Sequence, residues 1–100
     1  MNKSLLFAID YDDTLTAAPE FWSKIVKTGN VHGHKFIVVS CRKNTTENYE
    51  LIQNNLNELE IGHMPIYLTD LKPKRPFLER RSIFVDIWID DLPDSVENGR

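Results

Sequence analysis

One hundred residues fit one domain, with a formal charge of −3 from 12 basic and 15 acidic side chains. A hydrophobic content of 41% with 10% aromatics is that of a globular chain and excludes disorder. The slight acidity excludes a general attraction to nucleic acid or to an anionic membrane surface.

The first element is an apolar strand over residues 4–10, which runs into Asp10-Tyr11-Asp12-Asp13. An uninterrupted apolar run of this length suits a strand covered on both faces. Pro19 opens a helix through Glu20–Lys27, closed by Gly29-Asn30, with Phe21, Trp22, Ile25 and Val26 on one apolar face. Residues 35–40 form a β-branched second strand ending in Ser40. Asn44 and Glu47 make a capping-box pattern before a helix carrying Tyr49, Ile52, Leu56 and Leu59, which stops at Gly62. Residues 65–68 are a short third strand, and 70–81 are basic and proline-broken, with one helical turn at 77–79. The last strand spans about 83–90, and Asp86 within it fits an edge position. No further strand is expected after it. The alternation predicts an α/β fold, a single three-layer Rossmann-like domain over residues 1–100 with a short, mainly parallel sheet of about four strands and right-handed crossovers.

Six of the eight aspartates fall in two clusters about 80 residues apart, each at the end of an apolar strand. The first holds Asp10, Asp12 and Asp13, the second Asp90, Asp91 and Asp94. In an extended chain, residues i and i+2 point the same way. Two carboxylates ~4 Å apart repel by roughly 4 kcal/mol at an effective dielectric near 20, so such a cluster calls for a cation or a shared proton. The C-terminal ends of parallel strands share one edge, where ligands bind. Oxygen donors without imidazole or thiolate select a hard ion, Mg2+ before Zn2+. A divalent metal site and a nucleophilic aspartate follow.

At these residues the chain resembles the haloacid dehalogenase-like phosphohydrolases, in four segments spread over nearly its whole length. Asp10-Tyr11-Asp12-Asp13-Thr14-Leu15 resembles the first motif, Asp-x-Asp-x-Thr-Leu. Ser40-Cys41-Arg42 resembles the second, Lys72-Pro73 the third, and Ile89-Asp90-Asp91 the fourth. The resemblance implies a Mg2+-dependent phosphomonoester hydrolase that works through an aspartyl-phosphate. Asp10 is then the nucleophile and Asp12 the acid and base. Ser40 binds the transferring phosphoryl group and Lys72 balances its charge, with Arg42 as a substrate contact. The metal falls to the Asp10 carboxylate, the Asp12 carbonyl and Asp91, with Asp90 behind them. Lys74 is the alternative to Lys72, since both lie in Lys72-Pro73-Lys74-Arg75-Pro76.

About eight residues separate Asp10 from the first helix and about 25 separate Ser40 from the third strand. Neither interval holds a cap domain, so the resemblance implies an open site. Such a site takes a large phosphorylated substrate or borrows a lid from a second copy in a homo-oligomer. Nucleotides, sugar phosphates and phosphorylated polynucleotide ends all qualify as substrates. The run from Lys72 to Arg81 holds five of the 12 basic residues and suits a polyanion, but no aromatic platform interleaves the charges and a solvated loop is the preferred reading. A non-catalytic phosphate-binding module, or a receiver-like module with Asp70 as acceptor, is the competing function. His32, His34 and His63 lack metal-ligand spacing. Cys41 has no histidine to activate it, and as a single cysteine it fits a reducing compartment. No apolar stretch reaches the ~20 residues of a membrane span, and the N-terminal run ends too early for a signal peptide, so a cytoplasmic location without membrane partners is expected.

Overall fold

The computed structural model describes residues 3–98. Four strands, β1 (Leu6–Ile9), β2 (Lys35–Ser40), β3 (Ile66–Leu68) and β4 (Ile87–Ile89), alternate with helices α1 (Pro19–Val31), α2 (Thr46–Glu58), α3 (Lys74–Glu79) and α4 (Asp94–Glu97). Every strand pair is parallel and the sheet order is β3-β2-β1-β4. The expected Rossmann-like α/β architecture is therefore observed. Because the strands are parallel, all four C-terminal ends reach the same edge of the sheet.

Side-chain alternation along β1 and β2 builds two cores. On one face Ile9, Phe36 and Val38 pack with Val26 of α1 and with Ile52 and Leu56 of α2. Ile52 and Leu56 lie one helical turn apart and are fully buried, each contributing about 2–3 kcal/mol of apolar burial. On the other face Ala8, Ile37 and Val39 meet Leu78 of α3.

Several elements depart from their sequence-predicted limits, α3 among them, which runs over Lys74–Glu79 and not 77–79 alone. The helix α1 does not stop at Gly29-Asn30 but continues to Val31. Gly29 serves close approach instead, since the Phe36 ring lies 2.4 Å from where its Cβ would stand; Gly33, at φ +87°, makes the turn that follows. Of the apolar face expected on α1, Val26 is buried and Trp22 partly buried, whereas Phe21 is 54% exposed. The sheet beneath this helix ends at the three-residue β4, whose Ile87 is itself exposed, so no described element covers that side.

Thr45, not Asn44, caps α2. Its backbone is extended and its hydroxyl accepts a hydrogen bond from the Asn48 N–H at 3.1 Å. The last strand is shorter than its apolar sequence, because Ile83 and Val85 pack into the second core from an irregular segment. Asp86 lies just before β4 and turns back to β1. Its carboxylate accepts from the Leu6 N–H at 2.9 Å and from Lys3 Nζ at 3.2 Å, which hold its pKa below the ordinary carboxylate value.

Candidate functional site

Asp10 is the first residue past β1, the strand that lies between β2 and β4. Its N–H donates to the Ile89 carbonyl at 2.9 Å, which continues the β1–β4 pairing by one step and ties the two acidic segments together. From there the chain coils into a wide turn, Tyr11–Leu15. Asp12 stays extended within it, and Asp13 takes a left-handed conformation at φ 61°, a geometry that aspartate tolerates better than most residues. The turn breaks the extended chain on which a shared direction for Asp10 and Asp12 was predicted. Their carboxylates are held by different cations.

The Asp10 carboxylate is buried and accepts a hydrogen bond from Lys74 Nζ at 2.9 Å. Lys74 also donates to Asp90, and its side chain is only 2% exposed. Asp90 is held further by the Ser95 hydroxyl at 3.1 Å and by the Leu92 N–H at 2.9 Å. Thr14 links the acids across the gap. Its hydroxyl lies 3.4 Å from Asp10 Oδ2 and 3.2 Å from Asp91 Oδ1, and the Asp91 N–H donates to the Thr14 Oγ1 at 3.2 Å. Carboxylate oxygens of Asp10, Asp90 and Asp91 all lie within 4.8 Å of one another.

This electrostatic arrangement raises the Asp10 carboxyl from its ordinary 3.8 to about 6. Burial is the main cause; Lys74 opposes the rise and Asp91 and Asp90 add to it. At neutral pH the group is ionised, yet it is held there at a cost. Lys74 is shared by Asp10 and Asp90, and Asp91 brings a third carboxylate beside them. The cluster could hold a metal ion through Asp10, Asp90 and Asp91, all hard oxygen donors. Beside it lies an open hollow of about 300 Å³ lined by Asp13, Thr14, Ala17, Trp22, Asp90 and Asp91.

Asp12 stands on the other flank. Arg42 donates to both of its carboxylate oxygens, Nε to Oδ2 and Nη2 to Oδ1, each at 2.8 Å. Arg42 is itself set by Asn48, whose Oδ1 accepts from Nη1 at 3.1 Å, and by the Tyr11 ring, 5.5 Å beneath its guanidinium. The Asp12 pairing raises the Arg42 pKa above its ordinary value. Ser40 ends β2 next to β1, and its buried hydroxyl accepts the Arg42 N–H at 3.1 Å.

The lysine preferred from sequence is displaced by the other one. Lys72 is exposed; its carbonyl accepts from the Thr69 hydroxyl at 2.9 Å, and among the described contacts its ammonium meets neither acidic cluster. Lys74 fills the place because it opens α3 behind Pro73, with Leu78 one turn on, and both residues face inward and are buried. That i, i+4 pairing with an apolar core residue was the signal in the sequence. Thr14, present in the first motif but given no role there, and Ser95, not singled out by sequence, join the acids to one another and to α4. Asp94 starts α4 rather than meeting the cluster. Cys41 is buried, and its thiol lies 3.9 Å from the Lys72 carbonyl. His34 accepts the Leu5 N–H and His63 bonds Asn30, so both meet residues near the N-terminal ends of the strands.

Compared with protein-family models, with curated proteins and with solved structures, the chain matches none of them. No helix among the described residues is long and apolar enough to cross a membrane.

Proposed function

We propose that the chain is a metal-dependent phosphomonoester hydrolase with haloacid dehalogenase-type chemistry. The observation that carries the reading is the buried Asp10–Lys74–Asp90 set at the end of β1, with Asp91 completing an acidic group that would accept Mg2+. A packed domain gains nothing in stability from such a set. Burying two carboxylates and an ammonium costs about as much as their attraction returns, and an apolar replacement is often as stable.

In this reading an Asp10 oxygen attacks phosphorus, the phosphorus–ester oxygen bond breaks, and the departing oxygen takes a proton from Asp12. Water then attacks the aspartyl-phosphate, returning a proton to Asp12 as the bond between phosphorus and the Asp10 oxygen breaks. Lys74 holds the Asp10 carboxylate in place through both steps. The buried Ser40 hydroxyl and the backbone of the Asp10–Asp13 turn receive the phosphoryl oxygens. Mg2+, bound by Asp10, Asp91 and the Asp90 that supports them, would supply charge compensation for the phosphoryl group.

The test is phosphate release from a panel of nucleotides, sugar phosphates and phosphorylated oligonucleotides, with Mg2+, with excess EDTA, and with Asp10→Asn. Release that needs the metal and vanishes in the variant is the expected outcome. No release, with Mg2+ binding intact, would leave a phosphate-binding module instead.

A further inference from the structure

The mechanism asks Asp12 to carry a proton where Arg42 now donates two hydrogen bonds. Arg42 forks onto both Asp12 oxygens and its backbone N–H donates to the Ser40 hydroxyl, so a phosphate arriving beside Ser40 would offer the guanidinium another anion. Its own surroundings provide for one. Three of its five N–H donors are used, by Asp12 and Asn48, and the side chain remains 30% exposed. Lys74, by contrast, is enclosed.

The rim around Arg42 is also a built feature. The segments after β2 and β3 are joined by three backbone hydrogen bonds, Thr69 N–H to the Ser40 carbonyl, Leu71 N–H to Cys41 and Asp70 N–H to Arg42, at 2.8, 2.9 and 3.1 Å. These bonds carry the β2–β3 pairing beyond the sheet and bring exposed Lys43 and Lys72 onto neighbouring turns beside Arg42. Against them stands one acid on the two segments, Asp70. With Asp12 seated on Arg42, the rim holds three basic residues against two acids, in a chain whose net charge is −3.

We infer that Arg42 is the specificity-determining residue, and that it receives a second phosphate carried by the substrate next to the phosphoryl group under attack. The substrate class is then a bisphosphate, such as a nucleoside bisphosphate, or a phosphorylated nucleic-acid end whose neighbouring phosphodiester supplies the second charge. A guanidinium fork suits phosphate as well as it suits carboxylate, and the exchange releases Asp12 for proton transfer. The inference rests on the hydrolase reading above.

The test compares kcat/KM for adenosine 3′- and 5′-monophosphates, adenosine 3′,5′-bisphosphate and a 5′-phosphorylated oligonucleotide. Charge-assisted contacts of this kind are worth roughly 10- to 100-fold, so the wild-type chain should favour a substrate with a second phosphate by at least about tenfold. A gain with the bisphosphate assigns the role to the phosphate alone, and a gain with the oligonucleotide only assigns it to the strand. In Arg42→Gln the ratio between substrates should fall to near one whatever the absolute rate, and Arg42→Lys should keep part of it. A purely structural role for Arg42 would lower all substrates alike and preserve the ratio. A flat ratio in the wild type, or a ratio that survives in Arg42→Gln and Arg42→Lys, overturns the inference while leaving the hydrolase reading in place. Absence of metal-dependent release from every substrate removes both.

Discussion

Replacing Asp10 by asparagine should stabilise the metal-free fold, and the gain should grow with pH. The folded carboxyl is raised from 3.8 to about 6, so between those values the native state binds more protons than the unfolded chain. Stability therefore falls as pH rises through that window and is level above it. At about 1.4 kcal/mol per pH unit, the ionised Asp10 costs the fold about 3 kcal/mol at pH 8. Asparagine keeps the shape without the charge and removes that cost. At pH 5 about half of the difference should remain, since much of the folded population is still protonated there. Denaturant melts in EDTA at pH 5 and pH 8 give both values, and for a domain of this size 1 kcal/mol corresponds to roughly 4–8 °C in Tm. Excess Mg2+ should then raise the wild-type midpoint and leave the variant nearly unmoved, because binding to the native state alone is what shifts it. A variant less stable than the wild type at pH 8, or a difference that does not change with pH, would refute the account of Asp10 as a strained anion.

Two further outcomes separate structure from chemistry. Lys74→Met leaves Asp10 and Asp90 buried without their shared cation and should cost about 3–5 kcal/mol, whereas Lys72→Met should stay within about 0.5 kcal/mol. Equal losses in urea melts of the two variants would reverse the assignment of the lysine. Leu71 holds a left-handed φ of 68° directly after Asp70 at φ 57°, and its side chain is half exposed. Leu71→Gly should therefore gain about 1 kcal/mol by relieving backbone strain, and a lower melting midpoint would show that the leucine side chain matters more than its backbone.

The alternation of apolar and polar runs made the sheet legible, because β1 and β2 are buried on both faces and tolerate no polar residue in their interiors. Asp10, Asp90 and Asp91 could be grouped from sequence for the same reason, since parallel strands of matched length bring their ends to one edge. What remained hidden was set by tertiary context. Lys72 and Lys74 are equivalent in composition, and only the docking of α3, with Leu78 against Ala8 and Val39, decides which one faces inward. Phe21 and Ile25 read as core because their spacing fits a helix face; what lies opposite that face is a property of the sheet's width. The partnership of Asp12 with Arg42 joins residues 30 apart through the twist of two strand ends and carries no local signature.

The candidate site is divided between parts of the fold that differ in how readily they open. Asp10 follows β1, which has neighbours on both sides, while Asp90 and Asp91 follow β4, a three-residue strand paired only with β1 among the described strands. Short edge segments of this kind fray at a fraction of the free energy needed to unfold a domain. Two of the three acids would thus come and go together, with the Asp10–Ile89 backbone bond as the hinge point. A cation bridging Asp10 and Asp91 would do for β4 what a missing outer strand would do, fastening the sheet's margin to its centre and coupling occupancy of the site to the order of its least secure strand.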